Sequence, residues 1–171
     1  KIKFYPKDIR VPEEEYEIHV PIADLGGCFR NKEEDFLNSR GGYLIDDEIK
    51  TIEIKKDLLE LIPASHKICG ISWKSSRAKN GSQRSIPLKD IIKTLDLKGY
   101  TFVSLQYGDT KKELKELKDE LGINVISYSK VDNFNDIDGL ASLIQACDIV
   151  ISVVNVTCHI AGALGKNTYI I

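Results

Sequence analysis

From Ile68 onward, short β-branched runs and amphipathic helical stretches take turns without interruption, and no other feature of the chain constrains its fold as much. Residues 68–73 form an apolar run. Residues 88–97 carry helical spacing, with Pro87 suited to the first turn and Gly99 closing the stretch. Residues 101–106 are β-rich. Thr110-Lys111-Lys112-Glu113 fits a capping box, after which Leu114, Leu117 and Leu121 share one helical face and Gly122 ends it. Residues 123–128 predict a third strand. Asp136 is placed to cap a helix whose apolar face is Ile137, Leu140, Ala141, Ile144 and Cys147. Residues 148–154 predict a fourth strand, 157–164 a short helix stopped by Gly165, and 168–171 a fifth strand. Such alternation yields an α/β fold, a doubly wound Rossmann-like parallel sheet with helices on both faces. The strands are continuously apolar, as strands covered on both faces must be.

Residues 1–67 differ. Their apolar runs are short and broken by Pro6, Pro12, Pro21 and Pro63 and by two Gly-Gly pairs, and they predict an irregular arm or linker from a preceding half. Charge divides with the structure: 11 Lys and Arg against 15 Asp and Glu in residues 1–67, 13 against 11 in the remainder. The net charge of −2 excludes a globally basic nucleic-acid binder. Nothing approaches the roughly 18 continuous apolar residues of a transmembrane segment. Cys28, Cys69, Cys147 and Cys158 are scattered without a CxxC pair, the pattern of reduced thiols in a cytoplasmic protein. The 171 residues include no Met, and Tyr169-Ile170-Ile171 reads as the inside of a strand. The expectation is a piece of a longer chain, with the 68–171 domain cut short at its C-terminal side.

In a doubly wound sheet, ligands bind where the strands end. The loop after the first strand, residues 74–85, holds Lys74, Arg77, Lys79 and Arg84, with serines, Gly81 and no acid. Guanidinium forks and a small-residue backbone suit phosphate. The same composition also suits a solvated surface loop, and the GxxxxGK[ST] spacing is absent. After the fourth strand the chain enters a helix through Val154-Asn155-Val156-Thr157-Cys158-His159. Asn155 or Thr157 can cap it, and its free N–H groups favour an anion. A capped helix with a satisfied His is the plainer alternative.

Several blocks resemble, in order and spacing, one family. They are Ile68-Cys69-Gly70-Ile71-Ser72-Trp73, Arg84-Ser85-Ile86-Pro87-Leu88, Phe102-Val103-Ser104-Leu105-Gln106-Tyr107-Gly108, and Asn133-Phe134-Asn135-Asp136. Leu140-Ala141-Ser142-Leu143-Ile144, Asp148-Ile149-Val150-Ile151-Ser152 and His159-Ile160-Ala161-Gly162-Ala163-Leu164-Gly165-Lys166 complete the set. Together they resemble the C-terminal, donor-binding half of glycosyltransferases of the heptosyltransferase type. These relatives often follow tetratricopeptide repeats in bacteria and are similar to the O-linked N-acetylglucosamine transferase catalytic region. Residues 16–45 look like the segment that crosses into this half.

The resemblance implies a GT-B arrangement. The C-terminal Rossmann-like domain, here 68–171, binds a nucleotide-sugar, while an N-terminal domain supplies the acceptor site and the base. By position, Arg77 and Arg84 would meet the donor diphosphate, beside Lys74. Trp73 and Gln106 would line the nucleotide pocket, and Asn155, Thr157 and His159 would hold phosphate at the helix start. Fixed N–H groups and cations can stabilise a departing nucleoside diphosphate without a metal or other cofactor. The implied partners are a nucleotide-sugar, a protein or glycan acceptor and the rest of the same chain, with no nucleic acid. The sequence departs from the pattern at Val154, where relatives show Asp, at Val156, at Asn167 and at Tyr169. No catalytic residue is assigned, and the fragment alone is expected to be inactive. The alternative is a non-catalytic scaffold that keeps the fold. A receiver domain would need an acidic pair after the first strand, where Trp73-Lys74-Ser75 stands.

Overall fold

The computed structural model describes residues 5, 8–21, 24–37, 41–75, 81–95 and 98–171. The chain divides into two compact units, Lys1–Arg40 and Gly41–Ile171. In the first, a 3-10 turn at Glu13–Glu15 precedes two short helices, α1 (Leu25–Phe29) and α2 (Glu34–Leu37). None of its described side chains is buried, so this unit has no apolar core among the described residues.

The second unit opens with a feature the sequence hid inside its arm, helix α3 (Glu48–Glu60), capped by the Asp47 carboxylate on the Lys50 N–H. The alternation then runs as expected: β1 (Lys67–Ser72), α4 (Leu88–Thr94), β2 (Tyr100–Ser104), α5 (Lys111–Leu121), β3 (Val125–Ile126), α6 (Ile137–Ala146), β4 (Ile149–Ser152), α7 (Val156–Ala163) and β5 (Thr168–Ile170). All five strands are parallel, in the order β3-β2-β1-β4-β5. The order reverses beside β1, so the switch point lies between β1 and β4, where Ser72 is in register with Ser152.

Strand alternation sorts side chains to two layers. Ile68, Val103, Leu105 and Val150 pack with α3, α6 and α7, through Ile54, Leu58, Leu140, Leu143 and Ile160 among others. Cys69, Ile71, Phe102, Val125 and Ile151 pack on the opposite face against Leu88, Ile91, Ile92 and Leu117 of α4 and α5. Gly70 keeps the first layer tight, because a Cβ there would meet Leu105 Cδ1 at 2.5 Å and Cys147 Sγ at 2.9 Å. Burial pushes the Cys69 and Cys147 thiols up to about 12, so both stay protonated.

Three ion pairs tie α3 down: Lys50 Nζ to Asp136 at 2.8 Å, Lys55 Nζ to Asp148 at 2.8 Å, and Asp57 to Lys130 Nζ at 2.7 Å. Residues 41–44 cross the end of α7, where the N–H groups of Tyr43 and Leu44 donate to the Ala163 carbonyl at 2.7 and 2.9 Å. Gly42 is required there, since a Cβ would sit 2.1 Å from the Leu164 carbonyl carbon. Among the described residues, no helix is long and apolar enough to cross a membrane.

Candidate functional site

The carboxyl ends of β1, β2 and β4 are joined by a buried polar network. Gln106, just beyond β2, is buried, and its Oε1 accepts from three donors: Ser72 Oγ at 3.1 Å and the Trp73 and Lys74 N–H groups at 2.8 Å each. Its Nε2 donates to the Lys74 carbonyl at 3.2 Å and the Tyr107 carbonyl at 3.3 Å. Asn155 is as fully used. Its Oδ1 accepts from the Thr157 N–H at 2.9 Å, capping α7, and from Ser152 Oγ at 3.2 Å, while Nδ2 donates to Ser72 Oγ at 2.7 Å and the Lys74 carbonyl at 3.0 Å. Burying such amides is tolerable because their hydrogen bonds are made. The result fixes the start of the loop after β1 to the start of α7.

Above this layer lies a cleft of ≈ 450 Å³. Arg84, from the 3-10 turn Ser82–Arg84, and His159, from the first turn of α7, stand on its wall. Both are exposed, and no described carboxylate pairs with either. The α7 start adds N–H groups that lack carbonyl partners within the helix. The remaining wall is mostly apolar: Phe134, Ile137, Val154 and Val156 all expose side chain to it. Phe134 meets Tyr107 in a tilted ring pair, with centroids 6.2 Å apart. Roomier hollows lie elsewhere, one of ≈ 500 Å³ at the amino ends of β1 and β2 and one of ≈ 730 Å³ beside α3. In the latter, Lys55 is paired with Asp148, and Lys166 Nζ is turned onto the Gln145 and Cys147 carbonyls at 2.9 and 2.8 Å.

The residues expected at a donor site therefore separate. Arg84, Asn155 and His159 come together on the cleft, as the neighbouring ends of β1 and β4 demand. Trp73 does not line it. The indole is fully buried in the α4–α5 layer, and its Nε1 lies 3.3 Å from Glu113 Oε2. Gln106 lies beneath the cleft and holds the loop. Lys74 spends its charge on Glu113 at 2.6 Å. Thr157 is buried, and its Oγ1 has no hydrogen-bond partner. Arg77 lies outside the described residues. The capping box at Thr110 is not formed, because Glu113 turns to Trp73 and Lys74 while Asp109 Oδ1 takes the Lys111 N–H at 3.0 Å.

The acids at 132 and 136 serve structure. Asp136 caps α6 through the Gly139 N–H at 2.7 Å, and the Lys50 ammonium with this N–H holds its carboxyl below the usual range. Asp132 folds the turn that carries Phe134. Hydrogen bonds from the Asn135 side chain and the Phe134 and Asn135 N–H groups likewise hold its carboxyl low. Phe134 and Tyr107 are cleft residues that local patterning does not mark; the available signal is the aromatic residue near the end of the 102–108 segment and the one in the 133–136 segment.

No family model matches the chain. Protein FlbA of Caulobacter vibrioides is 31% identical over 151 residues, covering 88% of this chain and 25% of the relative. The chain thus spans about a quarter of the length of the curated relative it matches. Among solved structures, Escherichia coli ADP-heptose LPS heptosyltransferase II aligns with a TM-score of 0.51 at 18% identity, over 74% of this chain and 38% of that one. E. coli heptosyltransferase WaaC, solved with ADP-2-deoxy-2-fluoro heptose, aligns over 68% of this chain and 36% of that one, with a TM-score of 0.44 at 15% identity. The likeness to heptosyltransferase II is one of fold, the five-stranded parallel half of a GT-B glycosyltransferase.

Proposed function

We propose that the α/β unit is the nucleotide-sugar donor-binding half of a glycosyltransferase of the heptosyltransferase and tetratricopeptide-associated type, acting in the cytoplasm, and that the carboxyl-edge cleft receives a nucleoside diphosphate. The observation that carries this reading is the convergence of Arg84, His159 and the α7 N-terminus on one cleft at the switch point. A departing nucleoside diphosphate gathers negative charge on its oxygens, and these groups are donors already in place to meet it. The solved relative in the same fold is named for ADP-heptose, a nucleotide-sugar. Arg77 would add a further cation from the same loop. In this reading the acceptor site and the catalytic base come from outside the α/β unit, which binds donor without turning it over.

A scaffold reading has one observation in its favour, the apolar Val154 and Val156 beside the α7 start, where the family pattern has polar residues. Titration calorimetry with nucleoside diphosphates separates the two. Charge-assisted contacts to Arg77, Arg84 and a helix start are consistent with a dissociation constant from roughly millimolar to tens of micromolar. Binding in that range that weakens in Arg84→Ala and His159→Ala supports the donor site. No binding at millimolar ligand, or binding unchanged in both variants, favours the scaffold.

A further inference from the structure

Nucleobases are read through their hydrogen-bonding edges or through their faces, and the amide side chains at this cleft are already bonded within the protein. Amide side chains are the usual bidentate readers of a base edge. Among the described residues, two line the cleft, Asn133 and Asn155, and a third, Gln106, lies directly beneath it. Gln106 and Asn155 have both amide atoms bonded inside the protein. Asn133 Nδ2 donates to the Ser104 and Gln106 carbonyls, each at 3.2 Å, which fixes its orientation. The Oδ1 left over has no partner but is sealed from solvent, so a ligand cannot reach it.

What the cleft offers instead is a face. The Phe134 ring is 64% exposed, an uncommon state for a Phe that has the Tyr107 ring beside it. Its backbone is pre-set. Asp132 Oδ1 accepts the Phe134 N–H at 2.9 Å and the Asn135 N–H at 3.1 Å, and Oδ2 accepts Asn135 Nδ2 at 2.8 Å. Ile137, Val154 and Val156 extend the apolar wall, and the Arg84 guanidinium and the His159 ring complete the lining. An apolar, aromatic wall, a guanidinium and a ring N–H donor in one cleft match a planar ring attached to phosphates.

We infer that Phe134 is the platform on which the nucleobase stacks, and that the site selects bases by stacking area and not by edge pattern. This rests on the reading of the cleft as a nucleoside-diphosphate site. Stacking tolerates every base, because each has a π-face, and it grows with ring area. Purine diphosphates therefore bind tighter than pyrimidine diphosphates, with little distinction between adenine and guanine.

The test is calorimetric titration of the 171-residue chain with ADP, GDP, UDP, CDP and inorganic pyrophosphate. Wild type, Phe134→Ala, Phe134→Trp and Arg84→Ala are compared. ADP and GDP should agree within about twofold, and both should exceed UDP and CDP. Phe134→Ala should weaken ADP by about five- to a hundredfold, the range of one lost base stack, while leaving pyrophosphate unchanged. Phe134→Trp should retain or improve ADP binding. Unchanged pyrophosphate binding also shows that the Ala variant is folded. One base favoured tenfold or more over the rest, with the preference surviving Phe134→Ala, would mean edge reading and overturn the inference. Pyrophosphate binding as tightly as ADP would overturn it too, while leaving an anion site at Arg84 intact. Failure of every ligand would remove the donor-site reading itself, and this inference with it.

Discussion

Asn155 and Val154 are neighbours in the chain and opposites in use. Asn155 is buried with both amide atoms bonded, while Val154 exposes aliphatic surface to the cleft and bonds to nothing. The same division runs along the whole carboxyl edge. A lower layer of Ser72, Gln106, Ser152 and Asn155 is saturated by its own protein. An upper layer of Arg84, Phe134, Val154, Val156 and His159 faces solvent. A saturated buried network makes one geometry and tolerates little change. Exposed groups cost the fold little and are available to a ligand. Stability and binding should therefore respond to different residues within a few positions of one another.

The sharpest way to break the comparison is Asn155→Leu. It removes the α7 cap and the bridge between the β1 and β4 ends, and it strands the Thr157 N–H in a buried place. Loss of the cap costs about 0.5–2 kcal/mol and loss of the Asn155 bonds to its Ser72 and Lys74 partners about 1–3 kcal/mol, so a total of about 1.5–5 kcal/mol is expected in urea unfolding. A loss under about 1 kcal/mol would show that the lower layer does not hold the edge together.

Gln106→Glu should have a smaller effect. The carboxylate still accepts from Ser72 and the two N–H groups, but the oxygen replacing Nε2 faces the Lys74 and Tyr107 carbonyls. Acceptor against acceptor in a buried site costs about 1–3 kcal/mol at neutral pH. Burial raises the pKa of the new carboxyl, so the deficit should shrink as pH falls and the group protonates to become a donor. Thermal melts of both proteins between neutral pH and about pH 4 would reveal a pH-independent deficit, if that is the truth.

These two substitutions also mark what the sequence could and could not disclose. β1, β2 and β4 were legible because their apolar runs are continuous and local. The switch point followed from topology. Helix α3 was not legible, since Ile49, Ile52, Ile54, Leu58 and Leu59 spread over more than one face; only Ile54 and Leu58 among these are buried, against α6. β3 shrank to Val125–Ile126, whose strand partners among the described residues are Phe102 and Val103 of β2. The Thr110 box failed because Glu113 found Lys74, 39 positions away. Gln106 reads as a pocket residue in a linear block, yet its partners at Ser72, Trp73 and Lys74 lie 32 to 34 positions upstream. Inward or outward direction at a strand end is decided by such remote partners, which no local window contains.

A gentler probe uses the turn that carries Phe134. The Asp132 carboxyl is held low by the Asn135 side chain and the Phe134 N–H, so its pKa is depressed in the folded state. A depressed carboxylate contributes stability that is fully present above its unfolded pKa of about 3.9 and is lost as pH falls through the folded value. Wild type should therefore be modestly more stable than Asp132→Asn at neutral pH, and the gap should close below about pH 4. A gap that widens on acidification would mean that the carboxylate does not hold this turn.

The smallest expected stability change belongs to Val154→Asp, and it examines the upper layer most directly. Val154 is 40% exposed, so removing its branched side chain forfeits little buried area. Surface substitutions of this kind fall within about 0.5 kcal/mol. The new carboxylate would stand immediately before the Asn155 cap, close to the positive end of α7. A charge there favours the fold by about 0.3–1 kcal/mol at low ionic strength. Net stability should thus be unchanged or slightly raised. Binding should move the other way: although the family pattern has Asp here for a full nucleotide-sugar donor, a carboxylate offers the phosphates of a bare nucleoside diphosphate only repulsion. At about 4 Å in water the repulsion is about 1 kcal/mol, close to a fivefold loss of affinity, and it should fade at about 1 M salt where the screening length is about 3 Å. Urea unfolding and nucleoside-diphosphate titration at low and high salt give both quantities. A large loss of stability would place Val154 with the lower layer, and an unchanged affinity at low salt would place the phosphates away from the α7 start.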